Sequence, residues 1–309
     1  MLRATLLKLS ESGIARRVAT RAPLASTFAH RFVAGDTVDD AVAATRALNR
    51  AGMSVTLDYL GESVSSREEA RAAADTYLAV LDHIAAEGLD ANVSLKLTAM
   101  GQDIDEEFLR ENVGRVIERA AAHDILVRFD MEGSDYTQPT LDFFRRLWNE
   151  GVRNIGPVIQ SYLYRSSDDI AWLNSIGARV RLCKGAYQEP ATVAFPEKSE
   201  VDAAFVRLAK ALLDDGNYPG IATHDLAMIN ATIEHVKRRG YSADRFEFQM
   251  LYGVRRDFQS SLVEQGMRLR VYVPFGEAWY PYLMRRMAER PANLFFIAGS
   301  VLKEALPGR

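Results

Sequence analysis

The hydrophobic pattern from residue 54 onward consists of short apolar runs, rich in β-branched residues, that alternate with longer segments of helical periodicity. Runs of this length, bounded by glycine or polar residues, predict buried β-strands. Eight of them occupy residues 54–61, 92–101, 125–132, 156–162, 178–185, 220–225, 245–253 and 268–276. This alternation, without a tandem repeat or a linker, predicts a (β/α)8 barrel, with a doubly wound open sheet as the alternative.

The segments between the runs read as helices, for example residues 66–88 and 105–124. The second opens with Asp105 as a predicted N-cap and continues with an acidic first turn, which suits the positive end of the helix dipole.

The predicted strands share a second feature, which is a charged, amide or imidazole side chain at or near the C-terminal half of the run. Taken singly, such a residue indicates a structural ion pair or a solvated rim position, because a buried unpaired charge is costly. Together they converge on the C-terminal strand ends, where barrel enzymes build their sites. We therefore predict a polar pocket formed by Lys96, Asp130, Gln160, Arg181, Lys184, His224 and Gln249.

The stretch "YLMRRMAER" (282–290) places two arginines side by side in an amphipathic helix. Residues three or four apart share a helix face, so Tyr282, Arg285, Arg286 and Glu289 form one polar stripe. One interpretation is a solvated face of ion pairs. The other is a grip on a ligand carboxylate, since an excess of cations suits an anionic ligand; carboxylate and phosphate both stay open.

Composition narrows the class of protein to which the chain can belong. The 309 residues are 48% apolar with a net charge of -3, which fits one globular domain and argues against nucleic acid as a partner. Residues 1–35 hold six Lys or Arg against one acid, so the head carries +5 and the rest of the chain -8. This head is expected to be a helical arm, with a transit peptide as the alternative. The lone Cys183 excludes an intrachain disulfide and fits a reducing compartment.

Several catalytic signatures are absent from the sequence. It contains no G-x-G-x-x-G turn, no P-loop, no H-E-x-x-H and no G-x-S-x-G elbow, and its five histidines are scattered, so no metal site is predicted. A desolvated Lys96 or Lys184 could instead form a Schiff base with a carbonyl substrate, and the residue pattern leaves that aldolase chemistry open.

Seven stretches resemble the flavin-dependent proline dehydrogenases: "TLDYLGE", "SLKLTAMG", "RFDMEGS", "RLCKGAY", "ATHD", "FEFQMLYG" and "VYVPFGEAWYPYLMRRMAERPAN". The resemblance spans residues 35–297. It implies a distorted (βα)8 barrel over residues 35–309, with FAD at the C-terminal strand ends and the eighth helix over the pocket, while the expected arm at 1–34 lies outside the resemblance. A flavin held in this way also accounts for the missing glycine fingerprint.

The implied reaction is oxidation of L-proline to Δ1-pyrroline-5-carboxylate by hydride transfer from ring carbon 5 to flavin N5. The resemblance further implies that electrons pass to a membrane quinone and that a separate pyrroline-5-carboxylate (glutamate semialdehyde) dehydrogenase completes the pathway. A cytoplasmic protein with peripheral contact at the inner face of the membrane is therefore expected, and the basic head is the candidate for that contact.

Residue by residue, the resemblance assigns the proline carboxylate to Arg285, Arg286 and Lys96. It assigns the wall around the proline ring to Tyr272, Tyr282 and Leu251, where Tyr272 crowds ring carbon 4 and favours proline over hydroxyproline. Asp130 and Arg181 are the implied catalytic residues, with Arg181 at flavin N5. A gate would form between Glu62 and Arg285. The implied flavin contacts are Met131, Gln160, Arg181, Lys184, Gly185, Ala186, Thr223 and His224.

Overall fold

The computed structural model describes residues 29–61 and 64–289, and the side chains of residues 285–289 lie outside that description. Eight parallel strands form a closed barrel in which β1 pairs with both β2 and β8. This closure confirms the barrel and excludes the open sheet. The strands are β1 (Ser54–Tyr59), β2 (Ala91–Leu95), β3 (Val127–Phe129), β4 (Ile155–Gln160), β5 (Arg181–Cys183), β6 (Gly220–Ala222), β7 (Glu247–Leu251) and β8 (Leu269–Phe275).

Helices surround this barrel. The described ones are α1 (Val38–Arg50), α2 (Arg67–Glu87), α3 (Glu106–Ala121), α4 (Ser134–Asn149), α5 (Ser166–Ser175), α6 (Lys198–Asp215), α7 (Leu226–Arg239), α8 (Arg256–Glu264) and α9 (Trp279–Glu289). The predicted cap is confirmed, because Asp105 accepts a hydrogen bond from the Phe108 N–H at 2.8 Å. Ser66 caps α2 in the same way, and Gly88 ends that helix in the left-handed conformation.

The strands are shorter than the apolar runs predict, and the difference lies mainly at their C-terminal ends. Lys96 directly follows β2, Asp130 follows β3 and Lys184 follows β5. After Lys96 the chain turns into a 3-10 helix, Leu97–Met100. The polar side chains therefore begin where the hydrogen-bonded ladder ends, which places them at the mouth of the barrel.

A second, smaller hydrophobic cluster covers one side of that mouth. Leu60, just after β1, packs with Trp279 and Leu283 of α9 and with Ala29 and Val33, which precede α1. The Ala34 N–H donates to the Pro274 carbonyl at 2.9 Å. The described end of the predicted arm is thus fixed against the barrel, whereas residues 1–28 lie outside the described residues.

Within the described ranges, no helix is both long enough and apolar enough to cross a membrane.

Candidate active site

Asp130 is the centre of a buried cluster at the barrel mouth. Its Oδ1 accepts hydrogen bonds from Arg181 Nη1 at 2.7 Å and from Ser94 Oγ at 2.5 Å. Its Oδ2 accepts from the Tyr272 hydroxyl at 2.6 Å and lies 3.7 Å from Lys96 Nζ. The structure therefore brings Lys96, Asp130, Arg181 and Tyr272 together, as the converging strand ends predict.

The electrostatics of this cluster keep Asp130 ionised. Burial by itself raises the pKa of Asp130, but the charges of Arg181 and Lys96 and the hydroxyl donors outweigh burial and hold the pKa below its ordinary value. A carboxylate with several donors is a poor proton acceptor. Asp130 is accordingly suited to orienting the cations around it.

Asp58, at the fifth position of β1, was missed by sequence reasoning. Its two carboxylate oxygens lie 3.2 and 3.4 Å from Lys96 Nζ. Burial raises the pKa of Asp58 to about 6, and the neighbouring Asp130 adds to this effect while Lys96 opposes it. The available signal was strand alternation, because Asp58 shares its face of β1 with the buried polar Thr56.

Arg181 is held on several sides. Its Nε donates to Gln249 Oε1 at 2.6 Å, and its guanidinium carbon lies 5.1 Å from the centre of the Tyr272 ring. Its Nη2 is buried and has no hydrogen-bond partner among the described residues. A buried N–H group without a partner costs free energy, so this nitrogen is the natural contact for a ligand acceptor.

Gln160, the last residue of β4, presents the opposite chemistry. Its Nε2 donates to the carbonyls of Met131 and Glu132 at 3.3 and 3.2 Å. Carbonyls only accept, so the amide orientation is fixed, and the buried Oε1 has no donor within the described part of the chain. Gln160 therefore offers an acceptor for a ligand N–H.

The other predicted flavin contacts lie at the ends of β5 and β6. Lys184 Nζ is 2.5 Å from Asp202 Oδ1 and 2.9 Å from Asp225 Oδ2. Thr223 Oγ1 accepts from the Asp225 N–H, and His224 Nε2 accepts from the Leu251 N–H at 2.9 Å. Gly185 has a φ of 111°, and a Cβ there would overlap the Tyr162 ring. Ala186 follows directly, so these residues share one rim.

The predicted substrate residues are only partly described. Leu251 ends β7 and is half-buried, and Tyr282 is buried in α9 rather than lying on a solvated stripe. The backbone of α9 includes Arg285 and Arg286, but their side chains lie outside the described set, as does Glu62 entirely. The carboxylate grip and the gate therefore stay predictions.

Both candidate Schiff-base lysines have two carboxylates as neighbours. Lys96 lies near Asp58 and Asp130, and Lys184 near Asp202 and Asp225. Each lysine nitrogen is thus engaged by carboxylates, whereas a Schiff-base nucleophile must be open to attack a carbonyl substrate. This environment disfavours the aldolase alternative. Residues 29–61 and 64–289 contain no group of three His, Cys, Asp or Glu side chains arranged to hold an ion.

The site residues fit a flavin. The isoalloxazine ring presents several hydrogen-bond acceptors and one N–H donor, which complement the unpartnered Arg181 Nη2 and Gln160 Oε1. A closed α/β barrel with this cluster at its C-terminal mouth has the architecture of a barrel enzyme with a polar binding site.

Comparison with known proteins makes the assignment specific. The family model described as proline dehydrogenase matches residues 41–298. Proline dehydrogenase 2 of Bacillus subtilis (strain 168) is 42% identical over 298 residues, covering 96% of this chain and 98% of its own. The proline dehydrogenase of Deinococcus radiodurans is 42% identical over 279 residues, covering 89% and 90%. The chain belongs to the proline dehydrogenase family.

A solved structure shares the fold. The crystal structure of proline utilization A (PutA) from Bdellovibrio bacteriovorus, inactivated by N-propargylglycine, matches with a TM-score of 0.80 at 27% identity. The match covers 89% of this chain and 34% of that much longer one. The family and the barrel expected from the sequence motifs are both confirmed.

Proposed function

We propose that the protein is an FAD-dependent proline dehydrogenase that oxidises L-proline to Δ1-pyrroline-5-carboxylate and delivers the electrons to a quinone. Membership of the family supports the substrate. The single structural observation that carries the flavin proposal is Arg181, whose buried Nη2 has no partner among the described residues although the rest of its guanidinium is held.

Bound FAD would supply the hydride acceptor at its N5. The residues that would hold it are Met131, Gln160, Arg181, Lys184, Gly185, Ala186, Thr223 and His224. Arg181 would stabilise negative charge that develops at the cofactor, because a guanidinium in a water-poor site interacts strongly with nearby charge. Gln160 would accept a hydrogen bond from a ring N–H.

Arg285, Arg286 and Lys96 would bind the proline carboxylate, with about 1.5 to 3 kcal/mol from each hydrogen bond to a charged group. Asp130 holds Arg181 through a hydrogen bond and lies near Lys96, which limits the motion of both cations. Tyr272 and Leu251 would enclose the five-membered ring. Glu62 and Arg285 would close the pocket.

The remaining assignments follow from this chemistry. The product, an imine in equilibrium with a semialdehyde, would be a substrate for a second dehydrogenase activity, which is the partner we propose. Transfer to a quinone requires at least transient contact with a membrane, and the basic head is suited to an anionic surface. A cytoplasmic location with peripheral contact at the inner face of the membrane would give the protein access to the quinone and leave its product available to the second dehydrogenase.

The absorption spectrum of protein purified with added FAD tests the proposal. We expect a flavin spectrum that anaerobic proline bleaches. Colourless protein would reject the flavin, and borohydride trapping of a keto acid on Lys96 or Lys184 would establish the aldolase alternative. Proline binding without reduction of any acceptor would instead indicate an amino-acid-binding barrel.

A further inference from the structure

A row of buried polar side chains continues below the site, inside the barrel. Arg270 Nε donates to Glu247 Oε1 at 2.7 Å, and Gln249 Nε2 donates to the same oxygen at 2.6 Å. Gln249 Oε1 then accepts from Arg181 Nε at 2.6 Å. We refer to Arg270, Glu247, Gln249 and Arg181 as the buried ladder. The proposed function uses its last member alone.

The ladder has one possible hydrogen-bond direction. A carboxylate only accepts and a guanidinium only donates, so Gln249 must turn its NH2 group to Glu247 and its carbonyl to Arg181. Burial raises the pKa of Glu247, but Arg270 and the Gln249 amide outweigh it, and the pKa lies below its ordinary value. Glu247 therefore stays an acceptor, and the Gln249 amide cannot flip without losing both bonds.

The opposite end of the ladder is fixed to the barrel wall. Arg270 Nη1 donates to the backbone carbonyl of Val55 on β1 at 2.7 Å. Arg270 lies on β8, Glu247 on the adjacent β7 and Val55 on β1, so three strands hold this end of the buried ladder. Such an anchor resists displacement because each polar group it buries would lose a partner.

Gly220 on β6 makes the contact between Gln249 and Arg181 possible. These two residues lie on β7 and β5, on either side of β6. A Cβ at Gly220 would lie 2.8 Å from Gln249 Cδ and would overlap its Nε2. The missing side chain thus leaves the space in which the Gln249 amide crosses β6, and no larger residue would fit without displacing it.

We propose that Gln249 is a positioning residue for Arg181: the buried ladder fixes the guanidinium plane so that Nη2 is directed at the cofactor. Asp130 and Ser94 hold Nη1, and Gln249 holds Nε. These two fixed nitrogens, together with the covalent attachment of the guanidinium through Cδ, define the plane of the group and with it the direction of Nη2. Loss of Gln249 would leave Arg181 charged and buried but free to rotate about its contact with Asp130.

The test rests on the proposed flavin chemistry and compares Gln249→Met with Asn112→Leu, which removes a buried amide bonded to the Met100 carbonyl outside the barrel. For Gln249→Met we expect a lower midpoint potential of the bound flavin and flavin reduction by proline that is slower by about tenfold to a hundredfold. The dissociation constant for proline should stay within about twofold, because ground-state contacts are kept. Asn112→Leu should leave the potential and the reduction rate at parental values.

A second pair of variants keeps the idea testable where the first lowers stability. Gln249→Glu places two carboxylates together, whereas Glu247→Gln keeps a carbonyl oxygen that can accept from both Arg270 and Gln249. We expect Glu247→Gln to keep most of the reduction rate that Gln249→Glu loses. Gly220→Ala should reproduce the Gln249→Met phenotype.

The outcomes separate the two proposals. If the parental protein shows no flavin that proline reduces, the proposed function fails. If the parent behaves as proposed but Gln249→Met keeps its potential and rate, or changes them no more than Asn112→Leu, the positioning role is wrong. Failure of Glu247→Gln to exceed Gln249→Glu would also contradict it.

Discussion

The ammonium of Lys96 lies 3.2 Å from a carboxylate oxygen of Asp58, and the same ammonium lies 3.7 Å from Asp130. Lys96 therefore joins two buried acids. Asp130 also pairs with Arg181 and accepts a hydrogen bond from Ser94, whereas Lys96 is the cation that lies close to Asp58. This difference explains why the pKa of Asp130 lies below its ordinary value while burial raises the pKa of Asp58 to about 6.

The raised pKa of Asp58 predicts a pH-dependent contribution to stability. Between the unfolded value of 3.8 and about 6, the folded state holds a proton that the unfolded chain releases, so stability from this group falls as pH rises through that window. The fall amounts to about 3 kcal/mol. Asp58→Asn removes this pH-dependent contribution. The free energy of unfolding of Asp58→Asn, taken relative to that of the parent, should therefore rise by about 3 kcal/mol between pH 3.5 and pH 7 in urea titrations.

Asp214 provides a control of opposite sign for that experiment. Burial raises its pKa, but hydrogen bonds from His235, Arg239 and Tyr241 outweigh burial and lower the pKa to about 2. Its contribution is present above pH 3.8 and is lost as pH falls toward 2, so the stability of Asp214→Asn relative to the parent should decline as pH rises over this range. Above about pH 5 the Asp214 carboxyl is ionised in both states and should add no slope, so equal slopes for the two variants in that range would contradict the assignment for Asp58.

Gly185 combines a left-handed backbone with a close neighbour, and alanine should be costly there. Its φ is 111°, and a Cβ would overlap the Tyr162 ring. We expect Gly185→Ala to lower the free energy of unfolding by about 3 kcal/mol and to weaken FAD retention. Gly177→Ala isolates the backbone effect, because its φ is 70° and nothing lies within 4 Å of its Cβ position. Calorimetry showing equal losses for both would refute the crowding.

Tyr272 should control the choice between proline and hydroxyproline. Its ring stands beside Arg181 and its hydroxyl bonds to Asp130 at 2.6 Å. Tyr272→Ser opens space, and we expect the kcat/KM ratio of hydroxyproline to proline to rise by about tenfold. Tyr272→Phe keeps the ring and loses only the hydroxyl, so its ratio should stay parental. A shift of the same size in both variants would show that volume does not decide specificity.

The sequence predicted the barrel and much of the candidate site because both depend on local patterns. Apolar runs specify buried strands, and polar residues such as Lys96 and Asp130 follow the strands directly, so parallel packing brings them together. Asp58 and Glu247 were missed because the partners that make a buried carboxylate tolerable lie on or directly after other strands. Those partners, Lys96 for Asp58 and Arg270 for Glu247, are far apart in sequence.

Strand ends and helix faces were less predictable because they also depend on contacts between segments that are distant in sequence. The run 92–101 reads as one strand, but the backbone leaves the ladder after Leu95 and forms a 3-10 turn. Tyr282 reads as part of a polar stripe, yet it is buried beside Leu60 and Trp279 because α9 packs on residues before α1. Neither contact has a local signature.

The adjacent arginines of α9 give the sharpest test of substrate binding. Arg286→Lys keeps the positive charge but loses the planar fork that binds a carboxylate through two parallel hydrogen bonds. We expect the dissociation constant for proline, measured by flavin difference spectra, to rise by about tenfold or more, because one charge-assisted bond contributes about 1.5 to 3 kcal/mol. Arg110→Lys is the matched control, since Arg110 forms a bidentate pair with Glu150 on the exposed helix surface, where such pairs contribute little. Its proline affinity should equal that of the parent. Both substitutions conserve charge, so a loss of proline affinity in Arg286→Lys alone would be due to the geometry of the guanidinium fork and not to the net charge of the pocket. Unchanged proline affinity in Arg286→Lys would refute the carboxylate grip.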